Sequence, residues 1–244
     1  MLLNSSVRKL GNLWFSGCGG RIHVFVKNLD TEYNEEMDSP SSNIFNKHGH
    51  SQIKIGVSGA AETGHCGLDA LEKAKELGRE IARRGAVLVT GATTGFPLWV
   101  AMGAKEEGGI SIGFSPAASE REHVEAYRLP LDYMDLIVYT GFGYAGRDLL
   151  LTRAADAIIC GCGRIGTIHE FTIAFEDGKP LGVFKGPWDM DEQLEDIVAK
   201  GHRPNAKIVV GEDPKKLLDG VMALIKADKV EEYKVTKVPI PNFD

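Results

Sequence analysis

The chain has few cysteines, no cluster of positive charge and no long apolar run. Four cysteines among 244 residues are too few for a disulfide scaffold. The net charge is −6 without any Lys/Arg-rich run, which argues against a nucleic-acid or anionic-membrane partner. No apolar stretch approaches the roughly 20 residues of a membrane span, and the first residues lack the apolar segment of a secretion signal. We therefore expect a cytoplasmic protein that does not bind membranes.

The first 50 residues differ in composition from the rest. Residues 28–52, NLDTEYNEEMDSPSSNIFNKHGHSQ, are rich in Ser, Asn and acidic side chains and lack a sustained apolar period. We predict a poorly ordered N-terminal extension over 1–50, in which Ile22–Val26 could form a strand without a nearby partner. The main domain is predicted over 51–230, and residues 231–244 are predicted to be a C-terminal tail.

Short runs rich in Ile and Val alternate with amphipathic segments from residue 53 onward. AVLVTG and DAIIC, for example, each precede a segment with helical spacing. Continuously apolar strands separated by helices are typical of a parallel sheet covered on both faces. We predict a doubly wound, Rossmann-like α/β fold, in which ligands bind where strands end and helices begin. The loops at those points are 58–67, 90–97, 140–147 and 160–167.

The sequence GCGRIG, residues 161–166, fits the G-x-G-x-x-G pattern of a dinucleotide site. However, the next strand ends in VFKGP, so Lys185 stands where an acidic residue would hold the ribose of NAD. A lysine there could accept the 2′-phosphate of NADP, so an NADP site stays open as an interpretation. A phosphate compound requires less of the sequence: glycines for close approach, a helix N-terminus and a hydroxyl at Thr167. Glu170 lies one turn further along the helix. A purely structural glycine turn, with Glu170 solvated, is the alternative that the loop alone leaves open.

Two other loops carry similar features. VTGATTGF is a second Gly/Thr-rich turn between a strand and a helix. TGFGYAGRD places Arg147 near the start of a helix, where a cation opposes the helix dipole unless it binds an anion. The alternative for Arg147 is an ordinary surface position. Together the three loops favour an anion site at one edge of the sheet.

The block GRDLLLTRAADAIICGCGRIGTIHEFTIAFEDGKPLGVF resembles the LOG-like, or SLOG, Rossmann superfamily, and the resemblance covers about residues 52–227. Its members include the LOG phosphoribohydrolases and the molybdenum cofactor carrier proteins. LOG enzymes have an Arg-Lys pair followed by P-G-G-x-G-T-x-x-E, and the resemblance makes Arg147 and Glu170 the catalytic pair. The chain departs from that pattern at Asp148, which replaces Lys, and at Cys162-Gly163-Arg164, which replaces Pro-Gly-Gly.

The resemblance implies an N-glycosidic hydrolase that cleaves a nucleoside 5′-monophosphate to the free base and ribose 5-phosphate, without a metal or a required cofactor. The alternative is a non-catalytic carrier for a phosphorylated nucleotide or a molybdopterin-type cofactor, with Arg164 at a second phosphate. Family members commonly form homodimers or larger homo-oligomers, so the same is implied here. The residues expected to bind phosphate or nucleotide are Ser58, Gly59, Gly91, Thr93, Thr94, Gly95, Gly161, Gly163, Arg164, Gly166 and Thr167.

The remaining cysteine and histidine residues do not form a recognisable metal motif. Cys160 and Cys162 are separated by one residue, but no second pair completes a zinc site. We interpret them as core or loop cysteines. His169 precedes Glu170 and is interpreted as a packed helix residue rather than a ligand contact.

Overall fold

The computed structural model describes residues 8–10, 13–17, 22–26, 52–202 and 207–236, with side chains described within 52–202 and 207–229. The chain divides into two compact units, 1–49 and 50–244. The first unit contains an antiparallel sheet in the order β1-β2-β3, in which β3 pairs with β2. The expectation that Ile22–Val26 has no partner nearby is therefore wrong. The predicted poor order of 1–50 stays a prediction. These strands are β1 (Arg8–Leu10), β2 (Leu13–Gly17) and β3 (Ile22–Val26).

The second unit alternates strands with helices, as the apolar pattern predicts. Its seven strands are β4 (Lys54–Ser58), β5 (Val87–Thr90), β6 (Ser111–Ser115), β7 (Leu136–Tyr139), β8 (Ala157–Cys160), β9 (Leu181–Phe184) and β10 (Ile208–Gly211). Its helices are α1 (Ala70–Arg83), α2 (Phe96–Glu106), α3 (Glu120–Glu125), α4 (Gly143–Ala154), α5 (Ile165–Glu176), α6 (Met190–Lys200) and α7 (Pro214–Thr236).

The sheet order is β10-β9-β8-β4-β5-β6-β7, and every pairing in it is parallel. Within this sheet the chain begins at β4, adds β5, β6 and β7 in order on one side, and then crosses to β8 on the other side of β4. This reversal confirms the predicted doubly wound fold and makes the β4–β8 boundary the topological switch point. Ser58 and Cys160 are register partners there, so the loops that follow them start side by side.

Three strands of the sheet are buried along their whole length, and β7 is not. Every residue of β5, β8 and β9 is buried, because helices cover both faces of the sheet. In β7, by contrast, Leu136 and Val138 are exposed. Helix α7 continues to Thr236, into the segment predicted as a tail. None of the described helices has the length and apolar content needed to cross a bilayer.

Candidate functional site

Three of the four predicted loops are joined by backbone hydrogen bonds at the carboxyl edge of the sheet. The Gly161 N–H donates to the Ser58 carbonyl at 3.0 Å, and the Ala60 N–H donates to the Cys162 carbonyl at 2.8 Å. The Phe96 N–H, at the start of α2, donates to the Ala60 carbonyl at 2.9 Å. The loops after β4, β5 and β8 therefore form one continuous surface around the switch point.

Most of the glycines at this edge are required by packing within the protein. A Cβ on Gly161 would lie 2.2 Å from the Phe96 ring, and one on Gly59 would lie 2.7 Å from it. Gly95 has a φ of 72° and approaches the Ala60 carbonyl. Gly166 differs from these residues, because no described heavy atom beyond its chain neighbours and the backbone of its own helix lies within 4 Å of the position its Cβ would take. Its backbone is therefore open to a bound molecule.

Helix α5 begins immediately after the glycine loop. The Thr167 and Ile168 N–H groups bond to the Arg164 carbonyl, at 2.9 and 3.2 Å. The N–H groups of Ile165 and Gly166 have no acceptor within the helix. Both residues are exposed, so these N–H groups and the positive end of the helix dipole are available to an anion. Thr167 is buried, and its hydroxyl accepts a hydrogen bond from the Arg164 N–H at 3.3 Å.

The other residues predicted to bind phosphate have separate positions on the same loops. The packing neighbour of Gly163 is the Thr167 side chain, 2.5 Å from the position its Cβ would take. Arg164 is exposed and forms an ion pair with Glu62 at 2.5 Å, on the loop after β4. Thr93 is buried, whereas Thr94 is exposed and donates to the Ala61 carbonyl at 3.1 Å.

A buried polar cluster, formed by Ser58, Arg147, Asp148 and Glu170, lies beneath this surface. All four residues are more than nine-tenths buried. The Ser58 hydroxyl donates to the Glu170 carboxyl group, and Glu170 also lies within hydrogen-bonding reach of Asp148. Arg147 Nε lies 3.0 Å from Asp148 Oδ1. The structure therefore brings together Arg147 and Glu170, which the resemblance pairs.

The surroundings of Arg147 explain why Gly91 must be glycine. Arg147 Nη1 donates to the Gly91 carbonyl at 2.6 Å, and a Cβ on Gly91 would lie 1.6 Å from the same nitrogen. The guanidinium carbon also lies 5.7 Å from the centre of the Tyr144 ring. Arg147 Nε and Asp148 Oδ1 attract each other as charges, but they are not aligned as a hydrogen bond. Arg147 is thus a buried residue with internal partners rather than a surface arginine.

The surroundings of Glu170 favour its protonated form. Burial is the largest influence and favours the neutral carboxyl group, and the neighbouring Asp148 acts in the same direction. The charge of Arg147 and the hydrogen bond from Ser58 favour the ionised form, but they offset the other two influences only in part. Together these influences raise the pKa of Glu170 to about 8. Because Ser58 donates to one carboxyl oxygen, the proton belongs on the other.

Asp148 and His169 form a pair that sequence reasoning did not identify. His169 Nδ1 lies 2.8 Å from Asp148 Oδ2, and the imidazole is 44% exposed. Asp148 therefore connects the buried cluster to an exposed histidine at the same edge. The sequence signal that could have pointed to this pair is Asp148 itself, which stands where the family has Lys. The partner of Asp148, His169 on α5, is 21 residues later and could not be inferred from spacing.

Lys185, which kept an NADP interpretation open, is held by acidic side chains. Its ammonium group lies 2.7 Å from a Glu195 oxygen and 4.0 Å from an Asp191 oxygen. The hydrogen bond from Glu195 is the main reason that the pKa of Lys185 is raised above its ordinary value. A lysine neutralised by two acids on its own side of the sheet gives no support to a 2′-phosphate site.

Cys162 lies on the glycine loop and is buried in the hydrophobic core, and it forms a disulfide with Cys66 that the sequence did not predict. Among the described residues, His65, Cys66 and Cys162 form a group whose ligand atoms all lie within 4.8 Å of one another. In the structure the two sulfurs are bonded to each other, so they offer metal ligands only after reduction. Cys160 is free and buried.

The sheet order and the glycine loop at its switch point define a Rossmann-like α/β protein. A family model described as the SLOG cluster4 family matches residues 52–218, and the chain belongs to this family. An uncharacterized protein of Archaeoglobus fulgidus is 33% identical over 135 residues, which are 55% of this chain and 82% of the relative.

Two solved structures are similar over nearly their whole length. One is the molybdenum cofactor binding protein of Rippkaea orientalis, at 26% identity and a TM-score of 0.56, covering 73% of this chain and 98% of that one. The other is the molybdenum cofactor carrier protein of Chlamydomonas reinhardtii, at 25% identity and a TM-score of 0.57, covering 71% and 98%.

Proposed function

We propose that this chain binds a phosphorylated small molecule, either a nucleotide or a molybdopterin-type cofactor, and holds it without cleaving it. The observation that carries this proposal is the open start of helix α5, where the Ile165 and Gly166 backbone is exposed directly above the buried polar cluster. The similarity to molybdenum cofactor carrier and binding proteins supports the choice of ligand class.

Burial and protonation of Glu170 favour binding over hydrolysis. Cleavage of an N-glycosidic bond builds positive charge on the ribose, which an ionised carboxylate would stabilise. Glu170 is neutral below about pH 8 and already accepts a hydrogen bond from Ser58. A neutral carboxyl group can donate a hydrogen bond to a ligand, but it gives little electrostatic help to a cationic transition state.

Hydrolysis is the second candidate, because Glu170 lies beside a second acid in one cluster with Arg147. A carboxyl group that carries a proton can protonate a departing base, as a general acid does. Asp148 would then be the group that faces the developing positive charge, and Arg147 would hold the substrate. In this version Glu170 and Asp148 are the catalytic residues, and Ile165 and Gly166 would bind the 5′-phosphate.

The two candidates are separated by measuring binding and turnover on the same samples. The purified protein is mixed with AMP, with other nucleoside monophosphates and with a molybdopterin preparation, and both the bound ligand and the free base are quantified. The carrier proposal expects saturable binding without release of base, and a Gly166→Pro variant should weaken that binding by removing the exposed N–H. Release of base that disappears in Glu170→Gln would reject the carrier proposal in favour of the hydrolase.

We also propose that two copies associate through the β7 side of the sheet. Strand β7 is an edge strand, and large apolar side chains are exposed on it, on the helix α4 that follows it in the chain, and at one position between the two. They are Leu136, Val138, Phe142, Tyr144, Leu149 and Leu150. Light scattering during gel filtration should give the mass of a dimer or a larger oligomer, and Leu136→Lys should reduce it. A monomeric wild-type protein would reject this proposal.

A further inference from the structure

The loop between β4 and α1 is attached to the glycine loop by a disulfide and by two side-chain contacts. Cys66 bonds to Cys162, which lies between the first two glycines of the loop. His65 Nε2 donates to the Gly163 carbonyl at 3.1 Å, and Arg164 pairs with Glu62. The ion pair is exposed and therefore weak. The disulfide is consequently the strongest connection between these two loops, which also share the backbone hydrogen bond from Ala60 to Cys162.

We propose that Cys66 and Cys162 form a reversible dithiol–disulfide site that controls how tightly the glycine loop is held, and through it the binding of the phosphorylated ligand. The last part rests on the proposed function. The Cα atoms of the two cysteines lie 5.6 Å apart, within the range that disulfides require. Both cysteines lie on loops, so separation of their sulfurs does not require a strand or a helix to move.

His65 gives this pair a chemical asymmetry. A carbonyl oxygen only accepts hydrogen bonds, so the contact with Gly163 places a proton on His65 Nε2. The same nitrogen lies 3.5 Å from Cys162 Sγ. In the reduced protein this N–H would donate to the Cys162 sulfur and favour its thiolate, the form that attacks disulfides. Cys160 has no such neighbour, and burial raises the pKa of its thiol well above the ordinary value.

The reaction is a thiol–disulfide exchange with a small disulfide such as oxidised glutathione. The Cys162 thiolate attacks one glutathione sulfur and releases the other glutathione as a thiolate. The Cys66 thiol then loses its proton and attacks the Cys162 sulfur, which releases the second glutathione. Two protein thiols are oxidised by two electrons in total, and one glutathione disulfide is reduced to two glutathione molecules. Because both cysteines are fully buried, each step requires a transient opening of the 61–67 segment, whose Glu62, Gly64 and His65 are exposed.

The redox state is tested first, without any ligand. The full chain is equilibrated in buffers of varied ratio of reduced to oxidised glutathione, trapped with an alkylating reagent and digested, so that each cysteine is scored by its own peptide. Cys66 and Cys162 should become protected together in one two-electron transition, while Cys160 stays a free thiol. A His65→Ala variant should form the bond more slowly. Independent modification of the two cysteines, or no disulfide at any ratio, would overturn the proposal.

The coupling to the loops is tested by hydrogen exchange of the oxidised and reduced protein. Reduction should accelerate exchange about tenfold or more in the loops 59–67 and 161–167, with no change in strand β10, residues 208–211. A Cys66→Ser variant should resemble the reduced protein under oxidising conditions, and Cys160→Ala is the matched control that should not. Equal exchange in both redox states would overturn the proposal.

Ligand binding is tested last, with AMP and inorganic phosphate as probes. We expect reduction to weaken binding about tenfold, because a loosened loop must be ordered again when the ligand binds. Equal affinity of the oxidised and reduced protein would overturn the proposal that the disulfide controls binding. Absence of binding in both redox states would instead reject the proposed function, and the redox results would still hold. A reduced protein that binds one Zn²⁺ through His65 and forms no disulfide would overturn the proposal in favour of a metal site.

Discussion

Two carboxyl groups at opposite ends of the same sheet, the half-buried Asp156 and the buried Glu170, are in opposite electrostatic states. Asp156 lies at the amino edge, just before β8, and Glu170 lies at the carboxyl edge, beyond the end of β8. Burial opposes the ionised form of both groups. At Asp156 the pKa nevertheless falls below its ordinary value, because Lys54 donates to it from both its backbone and its ammonium group, and Lys229 adds its charge.

Glu170 has no equivalent set of donors. Its partners are one hydroxyl group, one arginine that is shared with Asp148, and Asp148 itself, which repels a second negative charge. At the amino edge the Asp156 carboxylate is thus paired with two ammonium groups, which stabilises its charge. The carboxyl edge keeps a proton on a buried acid next to an exposed helix start, at a cost in stability. Perturbed groups of this kind concentrate at functional sites, so the raised pKa of Glu170 supports the carboxyl edge as the candidate site.

The largest expected effect comes from removing the acid that pairs with Arg147. Asp148→Ala leaves the buried Arg147 guanidinium without the carboxylate beside it, so we expect the free energy of unfolding to fall by about 3–5 kcal/mol. Urea denaturation at pH 7 measures this change. Asp148→Asn is the matched variant, which keeps the shape and removes only the charge. A loss below about 1 kcal/mol would mean that Arg147 does not depend on the charge of Asp148, and the contrast between the edges would disappear.

The proton on Glu170 predicts that stability falls as pH rises. Below its ordinary pKa of 4.5 the carboxyl group is neutral in both the folded and the unfolded chain. Between that value and about 8 only the unfolded chain ionises, so the contribution of Glu170 to stability is lost at about 1.4 kcal/mol per pH unit. Relative to Glu170→Gln, which cannot ionise, the wild type should lose about 2–3 kcal/mol between pH 6 and pH 8. Parallel curves for the two proteins would contradict the raised pKa.

The fold was predictable because its determinants are local. Runs such as DAIIC are apolar along their whole length, and segments such as ALEKAKELGREIAR have a helical apolar period, so the alternation of elements is visible in the sequence. The glycine loop was located for the same reason, since strand, loop and helix follow one another without interruption. The edge strand β7 shows the limit, because its apolar residues LIVY resemble those of a buried strand although Leu136 and Val138 are exposed.

The details of the candidate site depend on contacts between distant segments. Cys66 and Cys162 are 96 residues apart and meet only because β8 returns to pair with β4. Gly91 was predicted to bind ligand, yet its neighbour is the Arg147 guanidinium from a helix two strands later. A glycine that leaves room for a ligand and a glycine that leaves room for a side chain have the same sequence pattern. Composition could not distinguish Asp148 from an ordinary surface acid, because its burial is set by packing against α5.

The smallest of the expected effects tests the amino edge and should have the opposite dependence on pH. Asp156→Asn removes the charge that Lys54 and Lys229 share, and because Asp156 is partly exposed we expect a loss of about 1–2 kcal/mol at pH 7. A lowered pKa contributes stability above the ordinary value of 3.8, and that contribution is lost as the pH falls through the folded pKa. The wild type and Asp156→Asn should therefore converge in acid, whereas the wild type and Glu170→Gln should diverge as the pH rises from about 4.5 to about 8. Urea denaturation of the three proteins from pH 3 to pH 9 measures both trends. The differences in free energy of unfolding between the wild type and each variant should change in opposite directions with pH. If they changed in the same direction, the pKa values of Asp156 and Glu170 would be shifted in the same direction, and the proton on Glu170 would no longer distinguish the candidate site.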